Sequence, residues 1–127
     1  MEFETSVPVV VAAVEDMFFS TKIEGAARQV GVSLKLVLDA QQLGDCLKIQ
    51  VPALIIVDLN SRTCDPIELI RRIKADVSLA SVPVIGFFSH VQVELEQAAR
   101  GAGCDQVLAR SAFSSKLHKI LAECKNK

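Results

Sequence analysis

The run Ala53-Leu54-Ile55-Ile56-Val57 is apolar at every position, is introduced by Pro52 and ends on Asp58. A strand with one wet face alternates apolar and polar residues. A strand without alternation is covered on both faces, as in a parallel sheet sandwiched between helices. Val7 to Val14 has the same character, nearly continuous and rich in Val, and is closed by Glu15-Asp16. Val82 to Phe88 is a third such run, Val32 to Leu38 alternates weakly as a strand nearer a sheet edge does, and Gln106 to Ala109 is a short fifth.

Between these runs the apolar spacing becomes helical. Phe19, Ile23, Ala26, Ala27 and Val30 share one face of a segment that starts near Phe18 and stops at Gly31. Asp39 can cap a helix reaching about Ile49, with Leu43, Cys46 and Leu47 inward. Asp65-Pro66-Ile67-Glu68 combines an N-cap acceptor, Pro at the first helical position and an acid three residues after the cap, with Ile70 and Ile73 continuing the face. Val91 to Ala102 is a fourth helix stopped by Gly101 and Gly103, and Phe113 to Cys124 a fifth with Leu117, Ile120 and Leu121 inward. Strands and helices alternating through short loops imply parallel pairing with right-handed crossovers. The expected fold is a flavodoxin-like doubly wound α/β domain, a five-stranded parallel sheet of order 2-1-3-4-5 with five helices. One domain over residues 1–127, with its core in 7–124, accounts for the chain.

Half of the residues are hydrophobic but only 5% are aromatic, so the core is aliphatic. Fourteen basic and 15 acidic side chains give a net charge of −1, with no basic field to attract nucleic acid. The densest basic patch, Arg71, Arg72 and Lys74, reads as a solvated helix surface. The four cysteines (Cys46, Cys64, Cys104, Cys124) form no C-x-x-C pair and stand at no ligand spacing to His90 or His118, so free thiols in a reducing compartment are expected. Met1-Glu2-Phe3-Glu4 lacks the positive start of a signal peptide, and no apolar run is long enough to span a bilayer. A soluble, cytoplasmic protein without membrane contact is expected.

In open sheets of this kind ligands sit beyond the carboxyl ends of the strands, where the strand order reverses. That rule brings Glu15, Asp16, Asp58, Phe88 or Ser89, and Arg110 around one crevice. Three acids gathered without cations repel one another. A hard divalent cation such as Mg²⁺ relieves the repulsion by taking carboxylate, carbonyl and water oxygens. A carboxylate left free can attack a phosphoryl donor, and a guanidinium can balance the charge that arrives. An equally simple reading makes Glu15-Asp16 a cap for the first helix.

Four segments resemble the receiver domains of bacterial two-component response regulators. They are Val14-Glu15-Asp16, the stretch from Pro52 through Asp58-Leu59-Asn60, Val82-Pro83-Val84-Ile85, and Ala102-Gly103-Cys104-Asp105. They fall in order over about Val7 to Ala122, with ungapped spacing from Asp58 to Arg110. The resemblance implies a signalling module and not an enzyme: a phosphoprotein of bacterial phosphorelay signal transduction. It puts Asp58 at the phosphoacceptor position, Glu15 and Asp16 at the metal-binding acidic pair, and Asn60 at the residue offering its backbone carbonyl to Mg²⁺. Arg110 stands at the family's Lys position. The implied partners are a sensor histidine kinase or phosphotransfer protein as donor, and a downstream protein met through the face of the fourth helix, fifth strand and fifth helix. The chain ends just after that last helix, so signalling by surface contact is expected.

The departures are specific. Phe88 occupies the place of the family's Thr or Ser at the end of the fourth strand, and a phenyl ring donates no hydrogen bond to a phosphoryl oxygen. Ser89, one place later, is a candidate substitute. Val107 replaces the aromatic switch residue, and Arg110 differs from Lys in planarity and donor geometry. Ser111 replaces the proline that follows the Lys, removing the easy route to a cis peptide. Arg62 stands where the loop after the acceptor usually has Pro, and Pro66 where a Gly is usual. Two readings remain open: an atypical receiver phosphorylated on Asp58, and a phosphorylation-independent pseudo-receiver acting as an interaction module. A flavodoxin-like cofactor carrier ranks below both, because no Gly-rich phosphate loop follows the first strand. His90, His118 and Arg62 are expected to be solvated, and the acidic neighbour of Cys64 disfavours its thiolate.

Overall fold

A computed structural model describes residues 7–62, 65–88 and 92–125. The elements run β1 (Val9–Ala13), α1 (Met17–Val30), β2 (Ser33–Val37), α2 (Ala40–Ile49), β3 (Leu54–Asp58), α3 (Pro66–Ala75), β4 (Val84–Phe88), α4 (Val93–Gly101), β5 (Gln106–Ala109) and α5 (Arg110–Cys124). The strands form one five-stranded sheet of order β2-β1-β3-β4-β5, parallel at every pairing. This is the expected flavodoxin-like architecture.

Side chains leave successive strand residues on opposite faces, and the two layers of core follow that parity. Leu54 and Ile56 join Val10, Ala12, Ile85 and Phe87 beneath α1 and α5, where Phe19, Ile23, Phe113 and Leu117 are buried. Ile55 and Val57 join Val11, Ala13, Val84 and Phe88 beneath the remaining helices, against Leu43, Ile70 and Ala99. All five residues of β3 are buried, the physical content of its unbroken apolar run. β2 lies at an edge and keeps Lys35 and Leu36 exposed, which explains its weaker signal. Among the described residues no helix is long and apolar enough to cross a membrane.

The caps read from sequence are in place. Asp39 accepts from Gln42 N at 2.9 Å, and Asp65 accepts from Glu68 N at 3.3 Å ahead of Pro66. Gly31 ends α1 in the left-handed region at φ +93°, accepting the conformation that closes the helix on Ala27 O. Two expectations need correction. α5 begins at Arg110, not Phe113: Ala109 is extended and the first turn, Arg110 to Ala112, carries no apolar face to mark it in sequence. Lys74 is not part of a solvated basic surface: its side chain is 16% exposed. Its Nζ donates to Val82 O and Asp105 Oδ2 at 2.8 Å each and to Ala80 O at 3.2 Å. The same Asp105 oxygen accepts from Val84 N at 2.7 Å. Gly103, at φ +108°, leaves room for the Lys74 stem, whose Cγ lies 2.8 Å from where a Cβ would stand. Ala102-Gly103-Cys104-Asp105 is therefore a clamp tying α3 to the start of β4.

Candidate functional site

Strand order reverses between β1 and β3, and Asp58 ends β3 there. The Ala13–Val57 pairing brings Val14, and after it Glu15 and Asp16, alongside Asp58. Asp58 is 5% exposed and is the one buried charged residue among those described. Asn60 N donates to its Oδ1 at 3.0 Å, and the backbone N–H of Glu15 donates to the same carboxylate. Burial raises the Asp58 pKa above its ordinary value; the two amides oppose the rise, and the charges of Asp16 and Glu15 reinforce it. The three acids are thus close enough to repel.

Each member of the acidic pair already has one job. Asp16 caps α1, its Oδ1 accepting from Phe18 N at 2.8 Å and Phe19 N at 3.2 Å. Glu15 Oε1 accepts from the backbone N–H of Arg62 at 2.6 Å, fastening the loop after β3 to the end of β1. These bonds use one oxygen of each carboxylate. Among the described residues, no ion pair involves Glu15, Asp16 or Asp58, and no three His, Cys, Asp or Glu side chains converge to hold a metal ion. Mg²⁺ needs no such trio, since it takes one or two carboxylates and keeps several waters. Hard oxygen donors around a buried, mutually repelling carboxylate fit such an ion chemically. Asp58, the second oxygen of Glu15 or Asp16, and the Asn60 carbonyl are the oxygens that would hold it.

Phe88 is buried in the core layer that holds Val57, Leu59 and Ala99. Val107 is buried in the same layer. Arg110, the first residue of α5, forms no ion pair among the described residues. Its guanidinium carbon instead lies 4.7 Å from the ring centroid of Phe19 and 5.8 Å from that of Phe18. This aromatic seat went unread in the sequence, where Phe18-Phe19, one residue beyond the acidic pair, was the available signal. Ser89, His90 and Cys64 lie outside the described residues. His118 is not merely solvated, since its Nε2 is 2.6 Å from Gln29 Oε1 and bridges α5 to α1.

No family model matches the chain, and no curated protein matches it. Solved structures do. The receiver domain of the sensor histidine kinase PA1611 from Pseudomonas aeruginosa PAO1, with magnesium coordinated in its active-site cleft, superposes with TM-score 0.81 at 21% identity, over 96% of this chain and 100% of that one. The chemotaxis response regulator CheY4 of Vibrio cholerae gives 0.80 at 14% identity, over 94% and 99%. The phosphorylated cyanobacterial phytochrome response regulator RcpA gives 0.78 at 19% identity, over 95% and 93%. The chain has the fold of the receiver domains of two-component response regulators.

Proposed function

We propose that this protein is a phosphorelay receiver: Asp58 accepts a phosphoryl group from a phosphohistidine of a histidine kinase or phosphotransfer protein, with Mg²⁺ as cofactor. The observation that carries the reading is the buried Asp58 carboxylate, held by two backbone amides beside two further acids at the switch point of a receiver fold. A carboxylate oxygen attacks phosphorus, the P–N bond breaks, and the imidazole leaves with the bonding electron pair and takes a proton from solvent. A cation at the acids supplies charge neutralisation for the transferring oxygens. The chain's own contribution is to aim Asp58 through the Asn60 and Glu15 amides and to fasten the adjoining loop through Glu15 to Arg62. The magnesium in the PA1611 cleft and the phosphorylated state of RcpA support the same chemistry here. Output is assigned to the α4-β5-α5 face, where Val93 of α4 is exposed.

The test is intact-protein mass after incubation with Mg²⁺ and a small phosphodonor. A gain of one phosphoryl group that is lost in Asp58→Ala is expected; an unmodified wild-type protein refutes the reading. A second reading, an interaction module independent of phosphorylation, is favoured by Phe88 and Val107, both buried in the core where a hydroxyl and a switch aromatic would act. It predicts binding of the target unchanged in Asp58→Ala.

A further inference from the structure

Arg110 has three acids within its end of the sheet, yet its guanidinium rests on aromatic carbon. Both ring centroids lie within the roughly 6 Å reach of a cation–π contact. The two rings differ in character. Phe19 is 1% exposed and wedged against Phe87 (centroids 5.0 Å apart) and Phe113 (6.1 Å), which themselves stack at 4.5 Å and 7°. It is a buried platform packed into the aromatic cluster. Phe18 is 62% exposed and meets Phe19 edge-on at 87°. It stands as an outer wall.

A guanidinium seated over a ring still has N–H donors in its own plane to offer a phosphoryl group's paired oxygens. The ammonium of a lysine has no face to stack. Holding Arg110 in one place also spares rotamer entropy that a long exposed side chain otherwise loses when it binds an anion. We propose that Phe19, assisted by Phe18, is the positioning residue for Arg110, presenting the guanidinium edge to the phosphoryl group on Asp58. The seat explains why arginine stands here: the site is built for a flat cation. This inference rests on the receiver reading.

The test pairs two readouts on the intact protein. In nuclear magnetic resonance spectra, the Arg110 side-chain resonances of the resting protein are shifted upfield by the Phe19 ring current, and the shift is lost in Phe19→Leu. By calorimetry with Mg²⁺ present, Phe19→Leu weakens beryllofluoride binding about three- to tenfold, the span of a partly desolvated cation–π contact. Phe18→Leu, a surface change that leaves the core intact, weakens it less. Arg110→Lys does not restore wild-type affinity. In an Arg110→Gln background, Phe19→Leu produces no further loss. Two results overturn the proposal: Arg110 resonances unshifted in the wild type, or an equal loss from Phe19→Leu with and without Arg110. If the wild type binds no beryllofluoride, the receiver reading fails and the positioning role falls with it. The ring-current measurement then still shows whether the seat itself exists.

Discussion

Replacing Asp58 by asparagine should stabilise the metal-free protein at neutral pH. The ionised carboxylate is 5% exposed and faces two like charges, against which it holds two backbone N–H groups. An amide of the same shape keeps its Oδ1 on Asn60 N, now at 3.0 Å, and discards the buried charge. Removing an incompletely compensated buried charge while keeping the Asn60 hydrogen bond is worth about 1–2 kcal/mol. A 127-residue chain unfolds with an entropy of about 270 cal/mol/K, so the melting temperature rises by about 4–7 °C. The sign with pH follows from the raised pKa. Between 3.8 and the raised folded value the native state holds a proton that the unfolded chain has released, so wild-type stability falls as pH rises through that window. The advantage of Asp58→Asn is therefore full above that value and narrows as pH is lowered toward 4. On the proposed receiver reading magnesium offsets this advantage: at 10 mM, taking a dissociation constant of about 1 mM, it would stabilise the wild type by about 1.4 kcal/mol and the variant little. Far-ultraviolet circular dichroism melts suit a chain without Trp or Tyr. A variant less stable than wild type at pH 7 in EDTA, or an advantage that does not shrink on acidification, refutes the electrostatic account.

Other outcomes follow from the geometry. Lys74→Met keeps the packing against Gly103 but strands Asp105 and two carbonyls, and should cost about 2 kcal/mol in urea unfolding, discounted for the half-exposed Asp105; a loss below about 0.5 kcal/mol contradicts the clamp. Asp16→Ala removes the α1 cap and should cost about 1 kcal/mol, whereas Asp16→Asn keeps it and should cost a few tenths at most; equal losses would show that capping is not its structural role. In Gly86→Ala the new Cβ would stand 2.9 Å from Cδ1 and 3.0 Å from Cδ2 and Cγ of the buried Leu59, so about 1–3 kcal/mol is expected, read as a lower urea midpoint at unchanged slope. Burial pushes the Cys104 thiol up, and it should resist a thiol reagent at pH 7 until the protein unfolds; rapid native-state labelling mapped to Cys104 by peptide mass would contradict its burial.

Much of this was legible because it is local. An unbroken apolar run is buried on both faces wherever it lies, so β3 and its terminal Asp58 were readable from residues 53–58 alone. Asp39 and Asp65 cap helices through neighbours three residues away. Asp16 was readable as either a cap or a metal ligand; the fold shows that it caps α1 through one carboxylate oxygen. The start of α5 was misplaced because apolar spacing begins at Phe113, whereas backbone geometry lets the helix begin as soon as β5 ends.

By itself the order of residues determined the alternation of strands and helices, the parallel sheet that alternation requires, and the acid that ends the central strand, because periodicity and capping act over a few residues. Tertiary structure alone decided what Lys74 and Arg110 do. One closes on Asp105, 31 residues away, and the other lies across rings from the opposite end of the chain. A long charged side chain takes its role from whatever the fold sets within its reach, and no local pattern encodes that neighbour.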